Sequence, residues 1–307
     1  MQLTNGQRLF LKYAGDTVGA GVLVQRLLPK PRRRLATERR ALKWLKANLR
    51  HDAELPEIVH FDPSTWTLVV KEVCAGGTSL ESHLENGRFD PLIAKNASQF
   101  LAACHTITGP IQPLWGKAQT DRQHWERVLD LQTVEIHNYQ ALPEPIRLHL
   151  AMLKDASLRA TTHRFLHLNY SPPNILIEGK RIGVIDFELA SSVGDPACDL
   201  GIFLGHYVYW ILKSSTVNSW HEAIQNALQA YQQGGGELWE RMDLQVIAFT
   251  GATLLNLRGR DDCNGHQDFA SRVMQAGTVL LAQGLQQHGA AERILCETIH
   301  DFSTTLQ

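Results

Sequence analysis

The first 75 residues carry short-period alternations of apolar and polar positions, which predict β-strands. In the segment 7–13, Lys12 shares one strand face with Phe10. The preceding Asn5-Gly6 is a favoured turn pair of two-residue hairpins, so a strand over 1–4 is expected to pair with this segment. Further strands are predicted over 55–61 and 66–73, and a helix with an apolar stripe is predicted over 37–49.

The rest of the chain has the period of α-helices, with one interruption. Two short apolar runs, 175–177 and 182–185, flank Gly179. A glycine between two such runs predicts a β-hairpin. Helices are predicted around this hairpin over 91–105, 125–139, 145–160, 201–212, 220–232, 238–257 and 269–287.

Polar side chains flank the predicted hairpin on both sides. A polar loop before it carries His167, Asn169 and Asn174, and Asp186 follows its second strand. A loop that offers an amide oxygen, opposite an acid fixed by a rigid hairpin, suits a metal–phosphate site. Asp186 alone could be a turn acid, but Asn174 at this offset favours the metal role for both residues.

Three linked motifs carry a resemblance to the aminoglycoside phosphotransferase family, small-molecule kinases related to choline kinase and to protein kinases. That family reads His-x-Asp-x4-Asn, then a hairpin, Ile-Asp-Trp/Phe-Glu and Gly-Asp-Pro-x-x-Asp-Leu. The resemblance implies an α+β, bilobal, protein kinase-like fold, with a small antiparallel sheet in an N-lobe over 1–75 and a mainly helical C-lobe over 76–307. The matching positions here are His167-Leu168-Asn169 with Asn174, Ile185-Asp186-Phe187-Glu188, and Gly194-Asp195-Pro196 with Asp199-Leu200.

The resemblance also implies ATP or GTP and Mg²⁺ as cofactors and assigns site residues. Lys12 would touch the nucleotide phosphates and pair with Glu38, while Asn174 and Asp186 would hold the metal. From the residues alone, a solvated edge-strand lysine is the favoured interpretation of Lys12, and Glu38 could equally be a helix-capping acid. The linked motifs reverse the preference for Lys12. The nucleobase would be read by backbone groups of a hinge over 71–75, which includes Glu72, Val73 and Cys74.

The chain departs from the family at the catalytic position, where Asn169 replaces the aspartate. An amide cannot accept the proton of an acceptor hydroxyl, although it can still orient that hydroxyl. General-base assistance is worth about 10²–10⁴-fold in rate, and His167 is the only other candidate base in the loop. Two hypotheses follow: a slow ATP- and Mg²⁺-dependent O-phosphotransferase acting on a small hydroxyl-bearing molecule, or a pseudokinase that binds a nucleotide or ligand without transfer.

A second departure concerns the nucleotide-covering loop. Family members have a strand and this loop before the lysine strand, whereas the present sequence begins within the strand that follows the loop. We therefore expect the loop to be largely absent or the start to be truncated. The glycine-rich segment 15–21 follows Lys12 instead of preceding it, so it is interpreted as a flexible connection.

Composition limits the classes of partner that the protein is expected to bind. The 307 residues have a formal net charge of −1, which gives no indication of nucleic acid or a membrane surface as a partner. Five cysteines without a CxxC pair suggest reduced thiols, and the absence of a signal pattern suggests a cytoplasmic protein. The oligomeric state is not indicated. Four separated histidines are interpreted as structural or surface residues, not metal ligands: His105, His124, His137 and His149.

Overall fold

Strands dominate the beginning of the chain and helices the remainder. The structure is a computed structural model and describes residues 8–14, 33–107, 110–136, 139–214, 219–235, 237–258, 267–286 and 290–303. The strands are β1 (Leu9–Tyr13), β2 (Ile58–Asp62), β3 (Thr67–Lys71), β4 (Thr78–Ser79), β5 (Ile175–Glu178) and β6 (Arg181–Val184). The α-helices are α1 (Arg33–Asn48), α2 (Leu80–Glu85), α3 (Pro91–Thr106), α4 (Ala118–Thr133), α5 (Glu144–Arg159), α6 (Pro196–Lys213), α7 (Trp220–Gly235), α8 (Glu237–Leu257), α9 (Gln267–Gln286) and α10 (Ala291–Ser303).

The N-lobe is an antiparallel sheet in the order β1-β3-β2, packed against α1. Lys12 of β1 lies opposite Leu68 of β3, and Phe10 lies opposite Val70. Directly opposed residues of an antiparallel pair face the same side, so Lys12 projects towards the side where Leu68 and Val70 are buried. The predicted strand over 1–4, its Asn5-Gly6 turn and the segment 15–21 lie outside the described residues.

Helix α1 begins at Arg33, four residues before its predicted start. Thr37 therefore lies within the helix, where its hydroxyl donates to the Arg33 carbonyl. Glu38 consequently lies in the second turn, and the prediction that it stands at the start of the helix is wrong. Since the N–H groups of a second turn already bond within the helix, Glu38 is not a capping acid.

A second sheet, in the order β4-β5-β6, begins the C-lobe. The linker between α1 and β2 is attached to this sheet through Glu54, whose N–H donates to the Ile182 carbonyl at 2.9 Å. The Val184 N–H donates to the Glu54 carbonyl at 3.0 Å. The N-lobe linker is therefore hydrogen-bonded directly to the strand that leads to Asp186.

The C-lobe is built around α6, which is buried over nearly its whole length. Tyr207 and Trp210 on this helix are core residues, as predicted. Helix α10 was not predicted, although it buries Ile294, Leu295 and Ile299 on one face. No helix within the described ranges combines the length and apolarity needed to cross a membrane.

Candidate active site

The loop before β5 is held by one buried carboxylate. Asp199 in the first turns of α6 accepts the N–H groups of His167 and Leu168, each at 2.7 Å. Leu168 has a φ of 58°, a left-handed conformation that costs a non-glycine residue of the order of 1 kcal/mol. Charge-assisted hydrogen bonds of this length are strong enough to maintain that conformation.

Asp199 is also the end of a buried polar chain. His105 on α3 donates its Nε2–H to Asp199 at 3.2 Å. Its other ring nitrogen, Nδ1, lies 2.6 Å from the hydroxyl of Tyr231 on α7, which donates to it. Two helices of the C-lobe are thereby connected to the loop through side chains that are all buried.

His167 cannot serve as the base that the sequence suggested as an alternative. Its Nε2–H donates to the Ile185 carbonyl at 3.0 Å, and its Nδ1 accepts the Asn169 N–H at 3.3 Å. Burial lowers the pKa of this imidazole, which is 1% exposed. Both ring nitrogens are committed to the backbone, so the candidate catalytic role of His167 is corrected to a structural one.

Lys12 connects the two lobes at the centre of the site. Its Nζ lies 2.9 and 3.0 Å from the two carboxylate oxygens of Glu38 and 2.8 Å from Oδ1 of Asp186. Asp186 follows β6 with a φ of 67°, which turns its side chain out of the hairpin and towards β1. The structure thus brings together three residues that are 26 and 174 positions apart along the chain.

The charges of this group depend on one another. Burial alone would lower the pKa of Lys12, but the carboxylates of Glu38 and Asp186 outweigh it and raise the pKa above its ordinary value. Burial raises the pKa of Glu38, and the ion pair with Lys12 counteracts that change. Lys12 is therefore a permanently charged group, and it is not the solvated edge lysine that the sequence also allowed.

Asn169 and Asn174 complete the loop side of the site. Asn169 Nδ2 donates to Asp186 Oδ2 at 3.5 Å, and Asn174 Nδ2 donates to the Asn169 carbonyl at 2.9 Å. The Oδ1 of Asn174 has no hydrogen-bond partner within the described ranges. That oxygen and the weakly bonded Oδ2 of Asp186 are hard donors of the kind that Mg²⁺ prefers, so the residues present fit this ion.

Glu188 is a part of the site that sequence reasoning did not assign. It forms an ion pair with Arg34 of α1 at 3.4 Å, and an oxygen of its carboxyl group lies within 4.8 Å of oxygens of Glu38 and Asp186. Burial and the Asp186 charge raise the pKa of Glu188 to about 7. The signal in the sequence was its place in Ile185-Asp186-Phe187-Glu188, but its partner on α1 could not be read from that motif.

The predicted hinge is only partly available to a nucleobase. The Cys74 N–H donates to Oε2 of Glu54 at 3.2 Å, and the Cys74 carbonyl accepts the Gly77 N–H at 2.7 Å. The Cys74 N–H is therefore occupied and its carbonyl already accepts one hydrogen bond, while its assignment as a base-reading residue stays a prediction. Glu54 was not identified from the sequence, because nothing local indicates that its side chain reaches the hinge.

The other two hinge residues keep free backbone groups. The Glu72 N–H donates to the Arg8 carbonyl at 3.0 Å, while the Glu72 carbonyl and the Val73 N–H have no partner in the described part of the chain. Val73 is buried against Gly183 of β6, where an added Cβ would lie 2.1 Å from Val73 Cγ1. Only glycine permits this close approach between hinge and hairpin.

Asp195 begins α6 beside the site. Its carboxylate accepts the Ala197 N–H at 3.0 Å as an N-cap and the Ser157 hydroxyl at 2.7 Å. Burial raises its pKa from 3.8 to about 6. Its contacts place it in the support of α6, away from the Lys12 group.

The sheet-and-helix architecture and the lysine–carboxylate group define a kinase-like protein. A model of the phosphotransferase enzyme family matches residues 3–244, which is well over half of the chain. The chain therefore belongs to the phosphotransferase enzyme family. A search of curated proteins found no match.

One solved structure supports this assignment at the level of the fold, and two others are similar to the chain at lower TM-scores. The ethanolamine kinase of Plasmodium vivax is 13% identical, with 98% of this chain and 77% of that chain covered at a TM-score of 0.51. A choline/ethanolamine kinase family protein from Mesorhizobium loti is 15% identical, with coverage of 96% and 87% and a TM-score of 0.46. The ADP-bound aminoglycoside phosphotransferase APH(2'')-Ib is 15% identical, with coverage of 85% and 86% and a TM-score of 0.43. The predicted bilobal, kinase-like α+β fold is confirmed.

Proposed function

We propose that this protein is an ATP- and Mg²⁺-dependent O-phosphotransferase that acts slowly on a small hydroxyl-bearing molecule. The observation that carries the proposal is the Lys12 ammonium, held between Glu38 and Asp186 at 2.8–3.0 Å beside Asn169. Phosphoryl transfer asks a protein mainly for positioning and for neutralisation of phosphate charge. This group offers both. GTP is the alternative nucleotide.

Each residue has a distinct task in this proposal. Lys12 binds the nucleotide phosphates, and the Glu38 carboxylate fixes its position. Asp186 and Asn174 would hold Mg²⁺, which when bound supplies positive charge to the phosphate oxygens. The carbonyl of Glu72 and the N–H of Val73 are the hinge groups left for the nucleobase. The lobe boundary is proposed at 75–76, between the end of β3 and the start of β4.

Asn169 sets the rate in this proposal. Its Oδ1 can accept a hydrogen bond from the acceptor hydroxyl and so orient the attacking oxygen, but it cannot take up the proton. A loose transition state with little proton transfer still permits reaction. Transfer is therefore retained at a reduced rate, within the roughly 10²–10⁴-fold range that a general base contributes.

A second candidate function is nucleotide or ligand binding without transfer. The observation that favours it is the Asn169 amide, which donates to Asp186 Oδ2. In this arrangement Asn169 stabilises the metal-binding carboxylate and has no chemical task.

Calorimetry and ADP release test the proposal together. Mg·ATP binding should weaken at least tenfold in Asp186→Ala, because a metal ligand is lost, whereas binding of metal-free ATP should not weaken. Asp268→Ala, which removes an exposed carboxylate on α9, is the matched control and should bind like the wild type. ADP release should be stimulated by at least one member of a panel of hydroxyl-bearing small molecules. Equal Mg·ATP affinity in wild type and Asp186→Ala would remove the metal assignment, and binding without any acceptor-stimulated release would favour the second function.

A further inference from the structure

The outer face of α1 carries cations at helical spacing. Arg39, Lys43 and Lys46 stand at positions i, i+4 and i+7, and Arg50 follows at i+11 just beyond the end of the helix. Residues with this spacing lie along one face, and at 1.5 Å rise per residue they span about 16 Å. These four residues are called the basic strip. Glu38 lies on the buried side of the same helix.

The charges of the basic strip are largely uncompensated. Lys43, Lys46 and Arg50 are exposed and have no ion pair or side-chain hydrogen bond with any residue that the structure describes. Glu57, the acid among the residues that line the cleft beside the strip, is paired with Lys71 at 2.6 Å and interacts only more weakly with Lys46. The whole chain has a formal charge of −1, so this positive surface is a local feature and not a reflection of overall composition.

Two clefts lie along the basic strip. The α1–β2 cleft has a volume of about 400 Å³, and its walls include Leu42, Phe61 and Val59 besides Arg39, Lys43 and Lys46. Val59 is 50% exposed, so it offers apolar surface to this cleft. The linker cleft has a volume of about 1170 Å³ and lies between residues 49–53, α3, the β5–β6 turn and the end of α7.

The linker cleft continues the positive surface. Arg50 and Lys180 both line it, and Lys180 is exposed without a side-chain partner among the described residues. Arg181 also lines it but is paired with Glu178. Asp52 is the acid in this wall. The Asn96 amide donates to the Lys180 carbonyl at 3.1 Å, so the turn that carries Lys180 is fixed to α3.

We infer that the basic strip and its two clefts bind an extended acidic segment of a partner protein, with an apolar side chain seated in the α1–β2 cleft. Spaced, unpaired cations complement a run of carboxylates, and the half-exposed Val59 and the side of Phe61 offer apolar contact. The two clefts are recesses, which a flat membrane surface would not fill. The phenyl ring among the lining residues, that of Phe61, is already covered by the Arg39 guanidinium at 5.1 Å, so this ring is not free to stack nucleic-acid bases.

The probe for this surface is a fluorescein-labelled decapeptide of glutamates with one central phenylalanine, measured by fluorescence anisotropy on the full chain. Lys43→Ala/Lys46→Ala should weaken binding at least tenfold. The matched control is Lys95→Ala/Lys117→Ala, which removes two exposed lysines outside both clefts and changes the net charge equally; it should change the affinity less than twofold. Binding should weaken steeply with added salt, because exposed charges are screened beyond a Debye length of about 10 Å at 0.1 M.

A second comparison isolates the apolar contact. Val59→Ser should weaken the phenylalanine-containing peptide about threefold or more, and it should leave an all-glutamate peptide unchanged. Retained Mg·ATP affinity in all variants would show that the fold is intact, since none of these residues lies in the Lys12 group. Equal affinity of the two lysine double variants would overturn the inference. So would undetectable peptide binding, or tighter binding of a single-stranded oligonucleotide or of phosphatidylserine vesicles than of the peptide.

Discussion

Replacing Asn169 with aspartate tests the proposed chemistry at the point where the chain departs from its family. Asn and Asp have nearly the same shape, so the loop braced by Asp199 should keep its conformation. The electrostatic change is large, because the amide that donates to Asp186 Oδ2 at 3.5 Å becomes a carboxylate. Two carboxylates at this separation repel each other by about 5 kcal/mol at an effective dielectric constant near 20.

The size of this repulsion depends on whether Mg²⁺ and the nucleotide are bound. Without them, Lys12 can neutralise only part of the added charge, because it is already shared by Glu38 and Asp186. The pKa of the new carboxyl should then rise, and the free energy of unfolding should fall by about 1–3 kcal/mol. A divalent cation bound between the two carboxylates would attract both of them. The free energy of unfolding and the ATP affinity of Asn169→Asp should therefore depend more strongly on Mg²⁺ than those of the wild type.

Turnover should rise about tenfold or more in Asn169→Asp, within the range of general-base assistance. The assay is ADP release at saturating Mg·ATP, with and without a stimulating acceptor, for both proteins and for each combined with Asp186→Ala as background. Asn226→Asp on α7 is the matched control for the added charge and should leave turnover unchanged. If Asn169→Asp still binds Mg·ATP but releases ADP no faster than the background, the proposed slow transfer is refuted and the binding function is favoured.

Two further predictions concern the support of the site. Gly183→Ala should lower the free energy of unfolding by about 1–3 kcal/mol, because its Cβ would lie 2.1 Å from Val73 Cγ1. In urea unfolding, the double variant Gly183→Ala/Val73→Ala should recover part of this loss. An unaltered urea midpoint in the single variant would contradict the close approach. Asp195 has a pKa of about 6 in the folded state against 3.8 ordinarily, so its stability contribution is complete below 3.8 and is lost as pH rises through 6. Relative to Asp195→Asn, which keeps the cap and the Ser157 contact, the wild type should lose up to about 3 kcal/mol over this range, and parallel pH profiles of urea unfolding would count against the shift.

The sequence predicted best what is local. Asn169, Asn174 and Asp186 lie within 18 residues, and their spacing around a hairpin reports a geometry that the hairpin itself enforces. The pairing of Lys12 with Glu38 required the family resemblance, since no short-range pattern connects β1 with the second turn of α1. The fold class followed from the same resemblance and from helical periodicity over long segments.

What the sequence did not predict depends on distant segments. Glu54 occupies the Cys74 N–H because the linker pairs with β6, more than 120 positions away along the chain. Glu188 meets Arg34 only because α1 packs against the turn after Asp186. The histidine in the loop was a plausible base until its two ring nitrogens were seen to bond backbone groups. Each of these contacts is set by tertiary packing, which residue types and spacing do not encode locally.

The buried chain from Tyr231 through His105 to Asp199 limits how the protein can diverge. Helix α7 can exchange its exposed side chains without affecting this buried chain. The Tyr231 hydroxyl is not free to change in the same way. A phenylalanine there would leave a buried imidazole nitrogen without a donor, at a cost of about 1–3 kcal/mol. Because His105 also bonds Asp199, the change would weaken the support of the backbone on either side of Leu168. Descendants that alter the surface of α7 are therefore expected to inherit Tyr231, His105 and Asp199 as a unit.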